Sequence, residues 1–211
     1  QKALWVPYSQ QPGVALQSHW NYSGIQNIDA WSNCPYVELF INKKSYGIVE
    51  PDQRTRQCTW RDIQWEPGTV EAVGLDTNKH PVCSEKIESS DKPYAIEVTI
   101  EKPAAKPTGE EFILKANASD AFIVTAKVVD KDGNLCPADS RQINFSVKGA
   151  GKYRAAANGD PTNLEQFHLP KMHTFNGMLT AIVQSGETAG EIVLTAKASG
   201  VKAGNIRIQT K

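Results

Sequence analysis

Excess charge of either sign is missing from this sequence. Its 211 residues carry 23 Lys and Arg against 23 Asp and Glu. The balance also holds locally, with eight basic and ten acidic residues up to residue 90 and 15 against 13 beyond it. A nucleic-acid binder needs surplus cations to displace counterions, so no nucleic-acid partner is expected. Long apolar runs are missing too. None approaches the roughly 18–20 residues of a membrane helix, so no membrane insertion is expected. The opening residues, QKALWVPYSQ, contain no signal-peptide core; any export signal is expected to have been removed or to belong to a longer precursor. Cysteine is sparse. The four, at positions 34, 58, 83 and 136, include no CxxC pair, which argues against a disulfide-stapled scaffold and against structural zinc. Most are expected to be buried free thiols acting as small hydrophobes. There is no Gly-x-Ser-x-Gly elbow and no recognisable Ser, His and Asp context for a nucleophile.

What is present is almost all β signal. Tyr36-Val-Glu-Leu-Phe-Ile-Asn42 puts Val37, Leu39 and Ile41 on one face, the period of a half-buried strand. Asn42 to Ser45 reads as a turn and Tyr46 to Val49 as the return strand. Arg56 to Trp65 alternates, with Cys58, Trp60 and Gln64 on one side and Ile63 and Trp65 on the other. Thr69 to Leu75 and Pro81 to Ile87 form a hairpin around the Asp76 to Lys79 turn. Ser89 to Pro93 is polar and proline-terminated, the best linker candidate. Beyond it, Ala95 to Ile100, Ala121 to Val129, Ile143 to Val147, Met178 to Val183, Ile192 to Ala196 and Asn205 to Gln209 complete a strand series. Only Glu110 to Ala118 competes as a helix. Such spacing without intervening helices predicts an all-β chain of two tandem immunoglobulin-like β-sandwich domains. The expected boundaries are a lead-in over 1–13, a first sandwich over 14–89 and a second over 90–211.

One long irregular stretch, Asn158 to Phe175, exceeds the usual length of a loop in a compact domain and is expected to pack across a neighbour. It holds His168 and His173, with Glu165 and Asp160 nearby, but without a third strong ligand these predict no metal site. Asp130-Lys-Asp-Gly-Asn134 starts like a calcium loop, yet Leu135 and Arg141 stand where an EF-hand needs Gly and Glu, so a hairpin turn is expected. No cofactor is called for. The acidic residues fall at alternate strand positions or in turns, the pattern of a solvated face, not of two carboxylates converging on a cleft. Trp31 and Trp60 suit a sandwich core. Trp20 and Tyr22, two apart, are expected to share one face of a strand and to serve a domain interface or a sugar-stacking surface.

Particular strings carry more than composition. Ser18-His-Trp-Asn-Tyr22, Asn27-Ile-Asp-Ala-Trp31, Ser32-Asn-Cys34 and Val37-Glu-Leu-Phe-Ile-Asn42 resemble the domain that follows the catalytic barrel in glycoside hydrolase family 2 β-galactosidases. That domain carries His-Trp-Asn-Trp, then Ser-Asn-Cys, then Val-Glu-Leu-Phe-Leu-Asn-Gly-Lys-Ser. Here Tyr22 replaces Trp and Lys43 replaces Gly. Glu66-Pro-Gly-Thr69 and Ala72-Val-Gly74 match its later strands. The second half is similar to the family's last immunoglobulin-like domain through Val128 to Asn134, Asn158-Gly-Asp-Pro-Thr162, Phe175-Asn-Gly177 and Ile182-Val-Gln-Ser185.

The resemblance implies that full-length members are retaining glycosidases whose two glutamates belong to an upstream barrel. The acid/base glutamate there follows an asparagine, and this sequence contains no Asn-Glu dipeptide. The chain is therefore expected to be a non-catalytic accessory piece with no catalytic residue of its own. Its partner is the upstream catalytic barrel of the same polypeptide, and a periplasmic or secreted location follows from the same relatives. Residues expected at the interface or against glycan are His19, Trp20, Asn21 and Tyr22 in the first domain. In the second they are Asn158, Asp160, His168, His173 and Asn176. The main alternative is a carbohydrate-binding module that captures glycans on exposed aromatics; a cell-surface adhesion array is a third class.

Overall fold

The computed structural model describes residues 5–17, 19–101 and 114–211, and every described element is a strand or a connection between strands. Ser18 and the Glu110 to Ile113 part of the helix candidate lie outside the described residues; Leu114 to Ala118 is not helical. The chain divides into two compact units, Gln1–Ser90 and Asp91–Lys211.

The first unit runs through β1 (Val14–Leu16), β2 (Ile25–Ser32), β3 (Tyr36–Ile41), β4 (Lys44–Val49), β5 (Gln57–Gln64), β6 (Thr69–Leu75) and β7 (Pro81–Glu88). One sheet has the order β1-β2-β5 and the other β4-β3-β6-β7, every pairing antiparallel. Alternation decides what is inside. Ile28 and Ala30 of β2 share a core with Val37, Leu39 and Ile41 of β3, and with Val70 and Ala72 of β6.

In β5 the expected alternation fails. Cys58, Trp60 and Ile63 are all buried and Gln64 is exposed. The cause is a bulge. Ile28 pairs with Trp60 and Gln26 with Ile63, so Asn27 faces both Arg61 and Asp62. Asp62 takes φ 56°, and its amide donates to Asn27 Oδ1 at 3.2 Å. One extra residue flips the following side chain to the other face.

The β3–β4 turn is tighter than its sequence suggests. Asn42 (φ 49°) and Lys43 (φ 69°) are both left-handed, and β4 begins already at Lys44. This is the geometry of a two-residue hairpin loop of type I′. Asn42 fixes it: its Nδ2 donates to Pro67 O at 3.1 Å and its Oδ1 accepts from the Thr69 amide at 2.9 Å.

The second unit contains β8 (Ala95–Ile100), β9 (Ala121–Val129), β10 (Gln142–Gly149), β11 (Gly151–Ala157), β12 (Lys171–His173), β13 (Met178–Ser185), β14 (Glu191–Lys197) and β15 (Gly204–Gln209). Its sheets have the orders β12-β10-β14-β15 and β11-β13-β9-β8. Phe122, Val124, Ala126 and Val128 of β9 and Leu179, Ala181 and Val183 of β13 face Ile143, Phe145, Ile192, Leu194 and Ala196 across the core. The chain is thus two tandem immunoglobulin-like β-sandwiches. The stretch from Asn158 to Phe175 is not wholly irregular, because it contains β12, paired with β10, and Met172 of β12 is fully buried.

The Asp130 segment is a hairpin turn. The Asp130 carboxylate is only 3% exposed and accepts backbone amides from Asp91, Asp132 and Asn134 at 2.9 Å each. Burial opposes its ionisation, but these hydrogen bonds outweigh burial and hold its pKa below the usual carboxylate range.

Two substitutions check the backbone reading. Lys43→Gly relieves a left-handed lysine and is expected to stabilise the chain by about 1 kcal/mol, seen as a higher urea midpoint. Gly177→Ala should do the opposite. Gly177 has φ 72°, and a Cβ there would lie 2.3 Å from Cys136 O, so a loss of roughly 2–3 kcal/mol is expected.

Candidate functional site

In the first unit the His19 to Tyr22 segment belongs to no strand, so the expected shared strand face does not exist. The rings still meet. Trp20 and Tyr22 are T-shaped with centroids 6.1 Å apart, and Trp20 also packs on Trp65 at 6.4 Å. Trp20 is 0% exposed and its Nε1 donates to Glu66 O at 3.0 Å. Trp20, expected at a domain interface or against sugar, is therefore a core residue, tied in place by its bond to Glu66 and by Trp65, whose Nε1 donates to Trp20 O at 3.3 Å. Asn21 is likewise turned to internal work. Its Oδ1 accepts from the Ser90 amide at 3.0 Å, and its Nδ2 donates to Ser90 O and Oγ at 3.2 and 3.1 Å. His19 stacks on Tyr22 at 4.5 Å. Burial lowers the His19 pKa, and Nδ1 of the neutral ring accepts from the Asn21 amide at 3.3 Å. His19, Asn21 and Tyr22 keep partly exposed faces, while Trp20 has none.

The second unit assembles a more specific feature. Between β11 and β12 the chain leaves the sheet, and side chains take over its hydrogen bonding. Asn158 Oδ1 accepts from the Asp160 amide at 3.1 Å and from Asn163 Nδ2 at 3.2 Å. Asp160 Oδ1 accepts from both the amide and the hydroxyl of Thr162 at 2.8 Å. Asn163 Oδ1 accepts from the Glu165 amide at 3.0 Å. Glu165 closes the circuit on β12, accepting the His173 amide on Oε2 and meeting its Nδ1 through Oε1, each at 3.0 Å. Asn158 Nδ2 donates to His173 O at 3.0 Å. From below, the Tyr153 hydroxyl donates to Leu169 O at 2.6 Å, and the Ala156 amide donates to Phe167 O at 2.9 Å.

Asn158, Asp160 and His173 are therefore brought together, joined by Asn163 and Glu165. His168 is exposed and stands outside the circuit. Asn176 has a different job: with φ 52°, beside Gly177, it makes the tight turn into β13. An Asn-Gly pair at two consecutive left-handed positions is turn chemistry, and the Asn176 side chain stays exposed there.

The rigid loop holds apolar side chains outward. Leu164 is 96% exposed and Phe167 57%. Sequence reading missed Leu164, Asn163 and Tyr153. The available signal was the run of Asn and Asp two or three apart, the spacing of successive Asx turns.

The Glu165 carboxylate illustrates the electrostatics. Burial raises its pKa, but the amide and ring of His173 outweigh that and hold it below its usual value. A depressed folded-state pKa contributes stability above the unfolded value that is lost as pH falls through the folded one. The loop is accordingly expected to loosen on acidification below about pH 4. Glu165→Ala should leave the β-sheet circular dichroism unchanged. It should speed chymotryptic cleavage after Leu164 and Phe167 roughly tenfold at neutral pH, a loss of the size expected for charge-assisted hydrogen bonds. Cleavage at the wild-type rate would mean that the carboxylate does not hold the loop.

Residues 106–207 match the family described as glycoside hydrolase family 2 C-terminal domain 5, and residues 24–83 match a domain of unknown function, DUF4982. A β-galactosidase of Bacteroides ovatus, BoGH2A, is 33% identical over 201 residues, covering 93% of this chain and 22% of that protein. A β-glucuronidase of Formosa agariphila is 28% identical over 95% of this chain and 19% of its own length. Among solved structures, a β-glycosidase from Bacteroides vulgatus superposes over 99% of this chain with a TM-score of 0.85 at 26% identity, and 26% of that protein is covered. The chain thus spans about a fifth of the length of these curated relatives.

Proposed function

The chain belongs with the C-terminal domains of glycoside hydrolase family 2, and from that premise we propose that it is a non-catalytic wall for a catalytic barrel in the same polypeptide. The observation that carries this reading is the 158–173 loop. Its backbone is tied by Asn158, Asp160, Asn163 and Glu165, and the one thing so much order accomplishes is to present Leu164 and Phe167 to the outside. A pre-ordered apolar tip lowers the entropic cost of docking, and a wall held in register supports substrate geometry in a neighbouring cleft. In this reading Leu164, Phe167 and His168 touch the barrel, while Asn158, Asp160 and His173 position them. His19 and Tyr22 form a smaller contact in the first unit.

The parent would be a retaining β-galactosidase-like glycosidase, the class named for the B. ovatus relative, working in the periplasm or outside the cell. Among the described residues no helix is long and apolar enough to cross a membrane. Glycan capture by this chain is a second reading, favoured by the partly exposed Tyr22 ring stacked on His19. The burial of Trp20 removes its strongest platform.

Leu164→Asp separates the readings. In the 211-residue chain, a change at so exposed a site should move stability by less than about 0.5 kcal/mol. In the parent enzyme it should lower the melting temperature and reduce kcat/KM. If parent and chain are both unmoved, Leu164 is not a docking residue. If the chain's tyrosine and tryptophan fluorescence titrates with galactosides, glycan capture takes the lead.

A further inference from the structure

Cys34 and Cys83 are 49 residues apart in sequence, yet their sulfurs are 3.5 Å apart. Cys34 lies in the connection from β2 to β3, where the chain passes between the two sheets of the first unit. Cys83 is on β7, the edge strand that pairs only with β6 in its sheet, and it sits opposite Gly74. Gly74 explains how the sulfurs meet. A Cβ at that position would lie 2.6 Å from each Sγ, too close for real atoms. Its φ is not left-handed, so a glycine stands here for room rather than for backbone freedom. The two differ in access: Cys83 is half-exposed and open to a reagent, whereas Cys34 is buried at 1% exposure behind it, beside an open pocket of about 370 Å³ lined by Tyr8, Asn33, Pro35, Glu50 and Arg56.

We propose that Cys34 and Cys83 are a dithiol oxidation site that closes to a disulfide, with a small-molecule disulfide such as oxidised glutathione as oxidant. The Cys83 thiolate attacks one glutathione sulfur, forming a mixed disulfide and releasing one glutathione thiolate. The Cys34 thiolate then attacks the Cys83 sulfur and expels the second. Two thiol protons and two electrons pass to two reduced glutathiones, and the protein gains one S–S bond. Joining them requires the sulfurs to close by about 1.5 Å, a movement that the strand-free Cys34 segment can absorb. Burial, and then the hydrogen bond shared with Cys34, pushes the Cys83 thiol up to about 12, so exchange proceeds over hours rather than seconds. The bond would staple the edge strand β7 to the β2–β3 connection and close a long loop, the case in which a cross-link constrains the unfolded chain most.

The test uses the full chain incubated overnight with oxidised glutathione, unfolded in guanidinium with excess iodoacetamide and mapped by mass spectrometry without reduction. The expected result is a linked Cys34–Cys83 peptide, with Cys58 and Cys136 alkylated. A melting midpoint roughly 10 °C lower after dithiothreitol is also expected. Cys83→Ser should lose both the linked peptide and the response to reductant. If that variant fails to fold, the wild-type peptide map decides alone. Alkylated or singly glutathionylated Cys34 and Cys83, or a link from Cys34 to Cys58, would overturn the proposal.

Discussion

A chain that leaves a sheet must find new partners for its backbone amides, and in this protein side-chain oxygens supply them. Asp52 takes the amides of Arg54 and Thr55 at 2.9 and 2.7 Å, and Asp76 those of Asn78 and His80 at 2.8 Å. Asn117 takes Ser119 and Asp120 at 2.9 and 2.7 Å, and Asp130 takes three amides from two segments. The 158–173 circuit is the same device repeated four times in succession. Facing sheets with alternating apolar residues make a sandwich stable, but these local bonds decide the shape of everything between the strands, and so what the molecule presents outward. Where the acceptor is a carboxylate whose pKa is lowered, stability also depends on pH in one direction. Asp52, Asp76, Asp120 and Asp130 are all held below the usual carboxylate range, so their contributions fade as the solution becomes acidic.

The same device gives the acidic residues a structural meaning. Carboxylates in loops invite a catalytic reading, which needs two of them converging on one cleft. Here Asp130, Asp160 and Glu165 are each committed to backbone amides in turns. For Asp130 and Glu165 those bonds also hold the pKa below the usual carboxylate range. What the turns hold in place is apolar, Leu164 and Phe167, and an exposed apolar tip on an ordered loop is the chemistry of contact with another surface.

Much of the fold was legible because strict alternation at β3, β9 and β10 leaves few other readings. The failures have specific causes. β2 hides its period because Ala30 and Ser32, two of its inward residues, are small or polar. β11 is alanine-rich at its end and buries only Ala156. In β5 the bulge at Asp62 adds one residue, which no period-two count anticipates. Trp20 was misread because its burial depends on Trp65 and Glu66, about 45 residues away. The site was less legible than the fold. The strings around Asn158 and Asn176 mark a loop and the adjoining turn, but an Asx turn and a ligand contact use the same residues, so the strings do not tell the two tasks apart. Leu164 has no periodic neighbours, so only the folded loop reveals its exposure.

Amide hydrogen exchange, read on the 211-residue chain and on the parent enzyme, tests most directly the proposal that side-chain oxygens pre-order the 158–173 loop so that its tip can dock. In the chain alone, the amides of Asp160, Thr162, Glu165 and His173 should exchange slowly while that of Leu164 exchanges freely. In the parent, residues 164–168 should become protected as well. Fast exchange throughout the loop in both proteins would contradict the account.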